Sequence, residues 1–118
     1  MSTVLSSAVP VVLTIAGSDS SGGAGIQADI KAISATGSYA CSAITAITSQ
    51  NTQGVSAIFP IPLDHIANQL DALFGDLNIA AVKIGMLADA RIIDIVANKL
   101  EQYNPNHIVI DPVMVATS

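Results

Sequence analysis

The stretch Gly17-Ser18-Asp19-Ser20-Ser21-Gly22-Gly23-Ala24-Gly25 concentrates four glycines, three serines and an aspartate in nine residues. Three uses of such a turn compete. Gly23-x-Gly25-x-x-Ala28 matches a dinucleotide fingerprint, but that motif needs an acid about 20 residues on to hold a ribose. The strand there reads Ile44-Thr45-Ala46-Ile47-Thr48-Ser49-Gln50, with neither acid nor arginine. Gly17-x-x-x-x-Gly22 opens like a phosphate-binding Walker loop, yet Gly23 and Ala24 stand where lysine and Ser/Thr are required. Without that lysine nothing reaches the β- and γ-phosphates. The third use is a substrate-facing turn, in which glycine lets the backbone approach a ligand closely. Asp29 lies one helical turn beyond Gly25 and can point back toward the same mouth. Taken alone, these residues leave a packing role open: glycines can open a helix, and a first-turn aspartate can serve the helix dipole.

Such a turn needs a strand before it and a helix after it. Val11–Gly17 is apolar and β-branched, and from Ala24 onward Ile26, Ile30 and Ile33 recur at helical spacing until Thr36-Gly37. Tyr39–Thr48 reads as a strand, Ser49–Gly54 as a polar loop, and Val55–Phe59 as a short strand closed by Pro60 and Pro62. Asp64 is expected to cap a helix running to Leu73 or Phe74, with Ile66, Leu70 and Leu73 on one face. Ile79–Ile84 is a further strand ending at Gly85. Asp89–Tyr103 is a helix with the stripe Ile92, Ile95, Val96 and Leu100, and His107–Ile110 is a strand stopping at Asp111-Pro112. The alternation predicts an α/β fold with a doubly wound, mostly parallel sheet. About five strands face only three helices, and the chain ends seven residues after Asp111. The expectation is a truncated fold, with residues 1–118 forming a single-domain portion of it.

Composition narrows the partners. Hydrophobic residues make up 51% of the 118 and charged residues 11%, enough apolar content for a packed core. The net charge is −5, and the four cations Lys31, Lys83, Arg91 and Lys99 are dispersed. That disfavours a nucleic-acid backbone and an acidic membrane surface, and points to a small molecule. Cys41 is the one cysteine, so an internal disulfide is impossible and a cytoplasmic setting is expected. No run approaches the ~18–20 apolar residues of a membrane span. Val9–Ala16 is apolar, but no Lys or Arg precedes Lys31, so a signal peptide is not expected. Met1–Ala8 reads as a lead-in. His65 and His107 fit no motif. Lys83 inside an apolar strand is costly unless its ammonium meets water or a carboxylate, and receives no role.

Four blocks together resemble the hydroxymethylpyrimidine/phosphomethylpyrimidine kinase family. They are Leu13–Lys31, with Ala-Gly-Ser-Asp-Ser-Ser-Gly-Gly-Ala-Gly at its centre; Ile44-Thr45-Ala46 with Gln50-Asn51-Thr52; Lys83-Ile84-Gly85-Met86-Leu87; and Ile108–Met114. The resemblance implies a ribokinase-like fold, ATP and Mg²⁺ as cofactors, and phosphorylation of an aminopyrimidine hydroxymethyl group and then of its monophosphate in thiamine biosynthesis. It also implies roles. Gln50 would bind the pyrimidine, its amide offering donor and acceptor together. Asp29 would be a pocket acid, Ala16 and Gly17 the floor, and Met86 and Val113 apolar walls. Asp111 would lie near the ATP phosphates and Mg²⁺.

Blander roles stay open for several of these: Met86 as core, Asp111 as a turn starter before Pro112, and Gln50-Asn51 as a solvated loop. By the resemblance no catalytic residue lies in this chain, because the anion hole and base belong to the family's C-terminal half. The 118 residues alone are expected to be inactive and poorly soluble, and the complete protein is expected to be a homodimer. Pyridoxal or pyridoxine kinase activity and a non-catalytic pyrimidine-binding module are the alternatives.

Overall fold

The computed structural model describes residues 9–87 and 89–111. Along the chain run β1 (Val11–Ala16), α1 (Gly25–Ala35), β2 (Tyr39–Ile44), β3 (Ala46–Asn51), β4 (Gly54–Pro60), α2 (Leu63–Asp76), β5 (Ile79–Ile84), α3 (Ala90–Tyr103) and β6 (Ile108–Ile110). Four strands form one sheet in the order β2-β1-β5-β6, every neighbouring pair parallel. β3 and β4 form a separate antiparallel ribbon. The expected α/β fold with a mostly parallel sheet is therefore present.

Alternation along β1 divides the two faces. Val11, Leu13 and Ile15 cluster with Ile66 and Leu70 of α2 and with Ile92, Val96 and Leu100 of α3. Leu13, Ile15, Ile66 and Leu70 are fully buried, and each such side chain contributes about 1.5–3 kcal/mol by leaving water. Thr14 points the other way, where it meets Asp29 on α1. Helices thus lie on both faces of β1, as in a doubly wound sheet, while β6 stays exposed.

Three local expectations change. The strand read over Tyr39–Thr48 breaks at Thr45, whose N–H bonds the Ala16 carbonyl at 3.0 Å and whose carbonyl accepts from Ile61 N–H at 3.0 Å. At the end of β2 the Gln69 amide bonds both N–H and C=O of Ile44 at 2.9 Å, standing in for a neighbouring strand. The polar segment Ser49–Gly54 is not a loop: it completes β3, turns, and starts β4. Asp64 does not cap α2. Pro62 occupies the cap position and Asp64 sits in the first turn, where a carboxylate favours the helix dipole. Asp89 does cap α3, accepting from Arg91 N–H at 2.8 Å, and the helix closes on Asn104 in the left-handed conformation at φ 49°.

Candidate functional site

The strand order sets where a ligand fits. From β1 the chain moves outward to β2, then returns to the other side of β1 for β5 and β6. The carboxyl ends of β1 and β5 therefore flank a topological switch point, the usual crevice for ligands in open α/β sheets. Gly17 follows β1 and Gly85 follows β5 at this crevice. Gly85 N–H bonds Ile15 C=O at 2.9 Å, and a Cβ on Gly85 would lie 3.0 Å from Ala16 Cβ, so the two strand ends are drawn together.

The glycine-rich turn is laid along β3 and fastened to it. Ser18 N–H bonds Ala46 C=O at 2.9 Å, Thr48 N–H bonds Ser18 Oγ at 3.1 Å, and Thr48 Oγ1 donates to Ser18 C=O at 2.7 Å. Farther along, Gln50 N–H bonds Ser20 Oγ at 2.6 Å, and that hydroxyl donates to Gln50 C=O. Burial in β3 alternates, with Ala46, Thr48 and Gln50 half-buried and Ile47, Ser49 and Asn51 exposed. Gln50 thus lies on the face applied to the turn, and its Oε1 is 3.1 Å from Thr48 Oγ1.

Within the turn, Asp19 is the organising residue. It is 3% exposed, and its carboxylate accepts from Ser21 N–H at 2.9 Å and Ser21 Oγ–H at 2.6 Å. Its own N–H bonds Gln27 Oε1 on α1 at 2.8 Å. The Ser21 hydroxyl, opposed by burial and joined by the N–H groups of Ser21, Ala24 and Gly23, holds the Asp19 carboxyl below its ordinary 3.8. Asp71 is lowered by Lys99 and Tyr103, and Asp89 by Arg91. For a depressed carboxyl, the stabilisation is complete above the unfolded value and disappears as pH falls through the folded one. Acid titration of the whole protein followed by circular dichroism should show stability falling as pH drops below the ordinary carboxylate range. Asp19→Asn, which keeps an acceptor but cannot titrate, should flatten that limb; an unaltered acid profile would exclude Asp19 as a contributor.

On the α1 side of the sheet, Lys83 and Asp29 meet. Lys83 Nζ lies 2.9 Å from both Asp29 oxygens, and Thr14 Oγ1 donates to Asp29 Oδ2 at 2.6 Å. Lys83 Nζ is also 3.6 Å from Asp111 Oδ2. Asp111 sits at the tip of β6, its N–H bonded to Ile84 C=O at 2.9 Å. Asp29, Asp111, Ala16 and Gly17 thus gather at one sheet edge, with Gln50 on the ribbon pinned to the turn.

Met86 follows Gly85 and is 55% exposed, and it also borders an apolar groove between β6 and α3. Val113 lies outside the described residues. Among the described residues no three His, Cys, Asp or Glu side chains group as a metal site. Cys41 is half-buried, and burial raises its thiol to about 11, so it is a poor nucleophile at neutral pH. No helix is long and apolar enough to cross a membrane among the described residues.

Sequence reasoning left two of these residues without a role. Lys83 did carry a signal, as a lone cation in an apolar strand that must reach water or a carboxylate. Asp19 carried none beyond its place in a polar turn.

The model of a family described as phosphomethylpyrimidine kinase matches residues 19–118. The hydroxymethylpyrimidine/phosphomethylpyrimidine kinase of Escherichia coli is 53% identical over 106 residues, covering 90% of this chain and 40% of that protein. A phosphomethylpyrimidine kinase crystal structure from Clostridium difficile superposes with a TM-score of 0.88 at 52% identity, over 92% of this chain and 47% of that one. An ADP complex of Bacillus subtilis pyridoxal kinase superposes with a TM-score of 0.83 at 40% identity, over 94% of this chain and 42% of that one. The chain therefore spans about 40% of the length of the curated relative it matches.

Proposed function

Since the chain belongs to the phosphomethylpyrimidine kinase family, with the ribokinase-like α/β fold of its structural neighbours, we propose that it forms the pyrimidine-binding portion of an ATP-dependent kinase of thiamine biosynthesis. The whole protein would phosphorylate hydroxymethylpyrimidine and then its monophosphate. In each step a substrate oxygen attacks the γ-phosphorus of ATP, the bond to the β,γ-bridging oxygen breaks, and ADP leaves. The observation that carries this reading is the crevice at the carboxyl ends of β1 and β5. There Ala16 and Gly17 offer backbone, Asp29 a carboxylate, and Gln50 an amide on a ribbon pinned to the same turn.

The ring would lie against Ala16 and Gly17, with Gln50 and Asp29 bonding its polar edge and Met86 and Val113 closing it with apolar surface. Asp111, 51% exposed at the tip of β6, fits a water-mediated hold on Mg²⁺, a hard cation that keeps much of its hydration. That ion neutralises phosphate charge when bound. The anion hole and catalytic base belong, in this reading, to the part of the relatives beyond these residues. The partners are small molecules, with no role for nucleic acid or membrane, in the cytoplasm. The ribbon's outward face bears the cross-strand pair Ile47 and Phe59, 48% and 62% exposed, an apolar surface that suits a homodimer.

The test is turnover of hydroxymethylpyrimidine by the whole protein with ATP and Mg²⁺, followed by product mass. Calorimetry then addresses the site: Gln50→Ala should weaken hydroxymethylpyrimidine binding roughly ten- to a hundredfold, the loss of two net hydrogen bonds. Unchanged affinity would remove Gln50 from the site. Pyridoxal phosphorylation is the second reading, favoured by the 40% identity to the Bacillus subtilis pyridoxal kinase. A higher kcat/KM for pyridoxal than for hydroxymethylpyrimidine would select it.

A further inference from the structure

Lys83 is an unusual residue for its position. It lies on β5, between β1 and β6 in the sheet, paired in register with Thr14 and Val109. Its neighbours Val82 and Ile84 are buried in the core, so alternation turns Lys83 toward α1. Its side chain is 25% exposed, and that of Asp29 17%. A lysine held in such a place is costly unless its charge is matched, and here it is matched twice, by Asp29 and by Asp111.

The bonding leaves Asp29 with little freedom. A carboxylate offers about four acceptor positions, two on each oxygen. Lys83 occupies one on Oδ1 and one on Oδ2, and Thr14 takes the second on Oδ2. Among the described residues' bonds, that leaves a single acceptor position, on Oδ1. Thr14 alone holds one oxygen; Lys83 holds both, and the two partners together set the orientation of the carboxylate and hence the direction of that free lone pair. The same ammonium ties α1 to the tip of β6 through Asp111, so one side chain spans the crevice.

We infer that Lys83 is a positioning residue, which aims the one free acceptor of Asp29 Oδ1 at a hydrogen-bond donor of the substrate, an amine or a hydroxyl. This rests on the proposed pyrimidine site. It goes further in limiting Asp29 to one ligand bond and in giving the strand lysine a task in recognition. Lys83 touches no reacting atom in this scheme and acts through Asp29.

Calorimetry with hydroxymethylpyrimidine on the whole protein tests it through four proteins: wild type, Lys83→Met, Asp29→Asn and the double variant. Lys83→Met should weaken binding tenfold or more in a protein whose melting shows it to be folded. On the Asp29→Asn background the same substitution should change affinity by less than twofold, because no carboxylate remains to be aimed. Equal losses on both backgrounds would overturn the inference, as would wild-type affinity in Lys83→Met. Should Lys83→Met not fold, Asp29→Asn and the double variant, which removes both charges, decide alone: a tenfold gap between them sinks the proposal. Wild type failing to bind the pyrimidine at all would instead sink the reading of the site on which the inference stands.

Discussion

Gly25→Ala in the whole protein should abolish pyrimidine binding and lower stability by about 2–4 kcal/mol, through strain at a left-handed residue and overpacking against fixed backbone. Gly25 adopts φ +61°, and a Cβ built on it would stand 2.4 Å from Gly17 C=O and 3.2 Å from Asp19 N. Those are backbone atoms, and neither can swing aside. Gly17 C=O is also the acceptor for Ile26 N–H at 3.0 Å, the bond that seats the first turn of α1 on the end of β1. Relieving the clash means breaking that bond and lifting the turn from the crevice. Gly22 provides the control. Its φ is +85°, but among the described residues its Cβ would meet only Lys31 Nζ at 3.3 Å, the far end of a flexible side chain. Gly22→Ala should therefore cost only the conformational strain, about 1–2 kcal/mol, and keep binding. Urea melts and calorimetry on the two variants give the comparison. If both lose equally, or Gly25→Ala binds normally, the close approach at Gly25 does not build the site.

What could be read from residues alone, and what could not, divides along a physical line. Periodicity is local, so the stripes Ile26-Ile30-Ile33 and Ile92-Val96-Leu100 and the apolar runs of β1 and β5 were visible as elements. The break at Thr45 was not, because Tyr39–Thr48 is uniformly suited to a strand; the contacts that end it come from Ala16 and Ile61. The cap of α2 was misplaced at Asp64 for a related reason: Pro62 and Asp64 are both favourable near a helix start, and side-chain chemistry alone does not order them. In the candidate site, Gly17 and Asp29 stood out as residue types, whereas Gln50 was marked only by the family resemblance and gained a position once β3 was seen pinned to the turn. The pairing of Lys83 with Asp29 spans 54 residues and depends on β1 and β5 being neighbours. Strand order is a tertiary property, so a lysine that looked misplaced in sequence acquires its partner only in the fold.

Residues 1–118 made alone should turn over hydroxymethylpyrimidine roughly a thousandfold or more slowly than the whole protein, because preorganised donors at the transferring phosphoryl group are each worth about a hundred- to a thousandfold. In the proposed reading those donors lie beyond the residues of this chain. The described residues carry the crevice proposed for the pyrimidine, one tip aspartate and no triad of metal-binding side chains. A second observation bears on the physical state of such a polypeptide. β6 shows Ile108, Val109 and Ile110 at 46%, 59% and 68% exposure. On its α3 side Ile108 and Ile110 line a groove of about 710 Å³ together with Ile84, Ile93, Val96 and Leu100. Contiguous apolar surface of this kind drives association in water. Light scattering should find the 118 residues aggregated, and supplying the remaining sequence of a full-length relative in trans should restore both solubility and turnover. Turnover by the 118 residues at the rate of the whole protein would place the phosphoryl-transfer machinery within them and overturn that division of labour.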